Sequence, residues 1–426
     1  MESPDDRLER ARASTHGEWI GVAPVIGSSE GPLAGFPFSV KDNIDVAGFP
    51  TTAGSRLLPD TPVAVDASVV NALRDAGAVV LGKTNLHELA LGITGDNAAF
   101  GPTRNPVDPT RSAGGSSGGS AVSVALGLVP FGLGTDTGGS VTIPASFCGV
   151  VGFRPTTGRY PGDGVVNLSS SRDTIGVHAR TVEVVRTVDE VVTGERRHVD
   201  PVVRGLRVGV PRSRYADLDP EVAEVARGAL AALTEAGAHL VELDVHDDLA
   251  LGAGPGIELV LFEAPELLRP RLGATLVDAS PREWAALVES PDVRALVELM
   301  ASSPVTPERY QAARASRWRL RRAYAEAFAR AEVDVLIGPT VPIPPPPLGE
   351  NDTVPLNGRA VPVFATGTRN TAPGTVAGLP MVSLPAGTTS AGLPVGMCLE
   401  GRPFDDARLL GTASAVEAVF RRGALG

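Results

Sequence analysis

The stretch "SAGGSSGGSAVSVALGLVPFGLGTDTGGSVTIPASFCG", residues 112–149, sets two loops dense in glycine and hydroxyl residues on either side of an apolar, helix-like segment. The chain leaves one loop, crosses a core and returns to present a second. Glycines let backbone amides turn toward a ligand at little steric cost, and small hydroxyls supply nucleophiles or proton relays. A flexible linker of similar composition would not embed an apolar crossing of this length.

Short apolar, β-prone runs alternate with helical patterns on both sides of this region, which argues an α/β fold. "DASVVNALRDAG" (66–77) and "NLHELALG" (85–92) read as helices, and "AVVLG" (78–82), "LRVGVP" (206–211), "HLVELDV" (239–245) and "VDVLIG" (333–338) as strands. Residues 219–238 and most of 256–332 read as helical. Thr306 and Pro307 open one such helix, whose arginine-rich stretch 314–324 reads as a solvated face crossed by an apolar seam of Trp318, Leu320 and Tyr324. The proline run at 340–350 is expected to be a surface loop, because the strand candidates "MVSLPAG" and "VGMCLEG" beyond it need an upstream sheet to join.

The chain has 426 residues, 43% of them hydrophobic, enough for one large domain spanning 1–426. Its net charge of −11 speaks against nucleic acid or an anionic membrane surface as main partner, since both require a concentrated positive field. The longest apolar run, 121–134, falls short of the roughly 20 residues that span a bilayer, and the polar N-terminus carries no signal-peptide core. Two distant cysteines, Cys148 and Cys398, fit a reducing compartment and no metal-ligand spacing. These features predict a cytoplasmic protein with no metal or organic cofactor.

Two motif matches fail on context. "GGSSG" (114–118) fits the G-x-S-x-G nucleophile elbow, but the residues before it are polar and proline-rich where a buried strand is required, and no histidine has acid–base surroundings. "GAVVLGKT" (77–84) fits the phosphate-loop rule letter for letter, yet Ala78, Val79, Val80 and Leu81 read as the strand itself, leaving no exposed backbone to cradle a phosphate.

A third match covers nearly the whole chain. "FSVKDNIDVAGFPTTAGS" (38–55), "LGKTNLHELALG" (81–92), "GGSSGGSA" (114–121), "GLGTDTGGSV" (132–141) and "PASFCGVVGFRPTTGRYPGDG" (144–164), followed by "DVLIGPT", "AGLPMVSLPAG", "GLPVG" and "GRPFDDARLL", resemble the amidase signature family of serine hydrolases. The resemblance implies one large domain with a central mixed, twisted sheet covered by helices on both faces. It also implies a Ser-Ser-Lys triad: Ser140 as nucleophile, Ser116 on a cis peptide bond as proton relay, and Lys41 as base. Backbone amides of Thr137, Gly138, Gly139 and Ser140 would form the oxyanion hole, with Asp136 bracing the loop and Lys83 structural. The segment 152–176 looks most like bacterial mandelamide and indoleacetamide hydrolases.

The chain's use of lysine agrees. Of its 38 basic residues only Lys41 and Lys83 are lysines. A guanidinium, with a pKa of about 12.5–13.8, does not release its proton in a protein, whereas an ammonium near 10.4 is lowered by burial and can act as a base. The alternative is a buried salt bridge from Lys41 to a carboxylate such as Asp42.

Many family members carry an arginine two or three residues after the nucleophile; here Thr142 and Ile143 stand there. Placed in the substrate pocket, they would leave its wall uncharged and select a neutral acyl group. Residues 256–330 and the loop near 350–375 are expected to shape that pocket. The expected substrate is a small amide cleaved through an acyl-serine. Alternatives are the glutaminase-type A subunit of a tRNA amidotransferase or a non-catalytic ligand-binding relative, and a homodimer is left open.

Overall fold

The computed structural model describes residues 4–25, 30–195 and 202–423. Among these residues thirteen strands run in chain order as β1 (Trp19–Val25), β2 (Pro37–Lys41), β3 (Val79–Thr84), β4 (Phe131–Asp136), β5 (Val151–Arg154), β6 (Thr174–Ala179) and β7 (Arg207–Pro211), then β8 (His239–Leu243), β9 (Val335–Pro339), β10 (Thr353–Leu356), β11 (Arg359–Pro362), β12 (Met381–Thr388) and β13 (Pro394–Glu400). Eleven form a single mixed sheet in the order β1-β3-β2-β4-β6-β5-β12-β13-β9-β7-β8, and β10–β11 is a separate hairpin. Every residue of β4, β9 and β13 is buried, so both faces of the sheet centre are covered and the strands read as continuous apolar runs. The expected α/β architecture, a mixed sheet flanked by helices, is the one found.

The arrangement of β2 and β4 positions the site. They run parallel, in the register Phe38 to Phe131 and Val40 to Leu133. The Phe38 and Phe131 rings stack with centroids 5.2 Å apart. Lys41 and Thr135 therefore emerge together at the carboxyl ends of adjacent parallel strands, where open α/β sheets place their ligand sites. The apolar crossing resolves into helix Gly118–Ala125 followed by β4. That helix is fastened to the sheet by hydroxyls: Ser120 Oγ donates to the Leu133 carbonyl (2.9 Å), and Ser123 Oγ lies 2.9 Å from Ser39 Oγ.

Three local expectations need correction. "NLHELALG" is a loop with one short 3₁₀ turn, Glu88–Ala90, and Leu89 has a φ of 53°. The buried Glu88 carboxylate is held by the Ser55 hydroxyl (2.6 Å) and the Ser290 amide (2.7 Å), and these tertiary bonds override its helical pattern. Trp318 is not part of an apolar seam: it is 60% exposed beneath the Arg321 guanidinium, whereas Leu320 and Tyr324 are buried. The proline run is no simple surface loop, since Val341 and Ile343 enter a core cluster with Ile143 and Phe147.

Candidate active site

Lys41, at the end of β2, is completely buried. Its Nζ donates to Ser116 Oγ (2.7 Å) and Thr135 Oγ1 (2.8 Å), and lies 3.5 Å from the Thr135 carbonyl. Asn43 Nδ2 donates to the same Thr135 hydroxyl (3.0 Å), which fixes where the lysine must point. No carboxylate pairs with Lys41 among the described residues. Asp42 turns the other way, to Lys83 Nζ at 3.1 Å and to the Thr52 amide, so the salt-bridge alternative belongs to Lys83. Burial lowers the Lys41 pKa to about 7, against a smaller upward pull from Asp136 and Asp173.

Ser116 is also fully buried, and a cis peptide bond joins it to Gly115. Ser140 stands higher, on the floor of a cavity of about 510 Å³ that Lys41 and Ser116 do not reach. Among the described residues no hydrogen bond links the two serine side chains. The loops are joined through backbone instead, the Ser117 amide donating to the Ser140 carbonyl (3.1 Å).

The loop carrying Ser140 is braced from below. Asp136 accepts from the Gly139 amide (2.9 Å), the Val141 amide (2.7 Å) and the buried Arg154 guanidinium (2.8 Å). This corrects the expected oxyanion set, because the Gly139 amide is committed to Asp136. The amides of Thr137, Gly138 and Ser140 have no protein acceptor among the described residues. Gly139 has a φ of +121°, and a Cβ there would lie 2.4 Å from Thr371 Oγ1, the hydroxyl that donates to the Gly138 carbonyl (2.7 Å). Gly139→Ala is therefore expected to lower kcat by about 100-fold or more through displacement of this loop, with a smaller change in KM. Steady-state kinetics check the split.

Thr142 and Ile143 are not on the cavity wall, which corrects their placement in the substrate pocket. Both are fully buried in the first turn of helix Thr142–Cys148, with Thr142 Oγ1 donating to the Gly139 carbonyl (3.3 Å). The wall is instead largely apolar, with Leu91, Leu168, Ile257, Val260, Leu296 and Phe364 prominent. Of the 256–330 segment only Ile257, Val260 and Leu296 line it, and its helical side begins earlier, at Leu249. Sequence reasoning missed Thr135 and Asn43, although both sat inside quoted motifs, and missed Arg172, which reaches the wall from the turn before β6. Each is defined by a contact across the sheet or cavity, which spacing along the chain does not show.

Fold and cavity define a single α/β domain with a largely apolar pocket and the buried Lys41–Thr135 pair at the carboxyl ends of adjacent parallel strands. Comparison with known proteins narrows this. Residues 4–410 match the amidase family. The indoleacetamide hydrolase of Agrobacterium vitis is 39% identical over 389 residues, 90% of this chain and 83% of that protein. The mandelamide hydrolase of Pseudomonas putida is 38% identical over 411 residues, 92% of this chain and 80% of that protein. A crystal structure of an amidase superposes with a TM-score of 0.85 at 34% identity, covering 97% of this chain and 94% of that one. The chain belongs to the amidase signature family. Among the described residues no helix is long and apolar enough to cross a membrane.

Proposed function

We propose that the protein, an amidase that cleaves C–N bonds, takes small uncharged carboxylic amides with an aryl or aliphatic acyl group and works through an acyl-Ser140 intermediate. Ser140 Oγ attacks the amide carbonyl carbon while its proton passes through Ser116 to the neutral amine of Lys41. The relay closes when the Ser140 side chain turns onto Ser116, a bond of the kind that tightens only once substrate is bound. Negative charge developing on the carbonyl oxygen is met by amides of Thr137, Gly138 and Ser140, each worth about 2.7–4 kcal/mol of barrier where well aligned. Collapse breaks the C–N bond, and the leaving nitrogen takes the proton back from Lys41 by way of Ser116. Water then attacks the acyl-serine by the same relay and releases the carboxylate.

The observation that carries this reading is the buried Lys41 amine, 2.7 Å from Ser116 Oγ and with no carboxylate paired to it among the described residues. The apolar cavity wall supports a neutral acyl group, as do relatives named for indoleacetamide and mandelamide. The test is ammonia release from phenylacetamide, indole-3-acetamide, mandelamide, succinamate and glutamine. Neutral aryl amides are expected to exceed the charged ones in kcat/KM by about 100-fold, reflecting the cost of burying the acyl group's own charge against the apolar side chains that make up most of the wall. A preference for succinamate overturns the neutral reading; a preference for glutamine points to the A subunit of a tRNA amidotransferase.

A further inference from the structure

Among the described residues that line the cavity, only Arg172 and Arg369 are charged, and no acidic side chain faces it. Arg369 is spoken for: its Nη2 donates to the Ala216 carbonyl (2.7 Å) and its Nη1 to the Asp217 carbonyl (3.2 Å). Arg172 differs. It is 5% exposed, yet it makes no ion pair among the described residues. Its Nη1 donates to the Gly256 carbonyl (2.6 Å) and its Nη2 to Thr375 Oγ1 (3.2 Å), both neutral acceptors, and its Nε has no partner.

The neighbouring carboxylates are already engaged. Asp136 is held by Arg154 and two loop amides, and Asp173 accepts from the Thr137 hydroxyl (2.6 Å) and the amides of Leu168 (2.6 Å) and Ser169 (2.9 Å). Burial, with repulsion from Arg154, lowers the Arg172 pKa to about 10, so it stays cationic at neutral pH. A buried cation without a counter-charge is costly, and an anionic ligand relieves that cost.

Its position says which part of a ligand it meets. A Cβ built on Gly138 would lie 3.5 Å from Arg172 Nη2, so the guanidinium sits beside the loop that bears Ser140. The group formed there by amide hydrolysis is a carboxylate. We propose that Arg172 holds the carboxylate of the product acid, so that small arylacetic acids bind this cavity as competitive ligands more tightly than neutral molecules of the same shape. The identity of that acid rests on the amidase reading above. The scissile amide is neutral and offers only a dipole, whereas the acid offers a full charge on two oxygens, which suits a guanidinium fork.

The close packing around Arg172 is specific to glycine at position 256. A Cβ there would stand 3.1 Å from Arg172 Nη1 and 2.9 Å from Val376 Cγ2. The carbonyl that holds the guanidinium is thus brought close by the lack of a side chain in helix Asp248–Leu268.

The experiment is calorimetric binding of phenylacetate and 2-phenylethanol to the full-length protein, beside inhibition of phenylacetamide hydrolysis by each. Phenylacetate is expected to bind about tenfold or more tightly than the alcohol at low salt, the gap narrowing as salt screens the charge. In Arg172→Gln the gap closes, while the affinity of the alcohol changes less than about twofold; Arg172→Lys keeps part of it. Equal binding of acid and alcohol by the wild type overturns the proposal without any variant, as does undiminished acid binding by folded Arg172→Gln. Calorimetry needs no turnover. Acid binding in a protein that releases no ammonia from any amide would therefore sink the amidase reading alone, and an active enzyme indifferent to the acid would sink this one alone.

Discussion

Ser140→Ala is expected to lower kcat/KM for the best amide by about 10⁴-fold or more, to a residual rate set by binding and the oxyanion amides. The variant should fold as the wild type does, because Ser140 lies at the cavity floor and its loop is held by backbone bonds and Asp136 rather than by its hydroxyl. The loss belongs to kcat, since the removed oxygen makes the covalent bond and contributes little to holding the amide. A fluorophosphonate should add its mass to the wild type at Ser140 and leave the variant unlabelled. A variant that keeps more than a tenth of the wild-type rate, or labelling at Ser116 instead, would overturn the assignment of the nucleophile.

Lys41→Met should abolish turnover to a comparable degree, about 10³-fold or more, and Lys41→Arg should do no better at any pH because a guanidinium holds its proton. With a folded pKa of about 7, the wild-type kcat/KM should rise with pH through that value and level off above it. Stability carries the same signature. The Lys41 pKa falls from 10.5 to about 7 on folding, so between those values the unfolded chain binds the extra proton and stability rises with pH. Below pH 7 both states are charged, and the folded state bears the full cost of the buried ammonium, on the order of 5 kcal/mol. Lys41→Met removes that cost together with the bonds to Ser116 and Thr135. It should melt at least as high as the wild type at pH 6, with a flatter stability profile up to pH 10. A pH-independent wild-type rate, or a variant with unchanged slope, would contradict the buried neutral base.

Six strands of the sheet, β3, β7, β8, β9, β12 and β13, were legible as short apolar, β-prone runs, whereas β1, β2, β5 and β6 gave no such run and β4 lay inside a crossing that read as helix-like. The three polar groups proposed for catalysis drew notice for a different reason: they stand in the ordered motifs that carry the family resemblance, and Lys41 stands out in a chain that otherwise uses arginine. The companions of Lys41 did not. Thr135 matters because β2 and β4 lie side by side in a register that only the folded sheet defines. Glu88 had the periodicity of a helix and was captured by Ser55 and Ser290, the latter two hundred residues away in sequence. Thr142 and Ile143 sat close to the nucleophile in sequence, but the helix they begin turns them inward, away from the cavity.

The residues proposed for bond-making come from positions 41–140, whereas much of the apolar wall comes from 249–260, Leu296 and 364–372. This division of labour makes the enzyme retunable. Mutant libraries confined to Ile257, Val260, Leu296 and Phe364 can explore new acyl shapes while the lysine beneath the floor keeps its dry surroundings and its readiness to accept a proton.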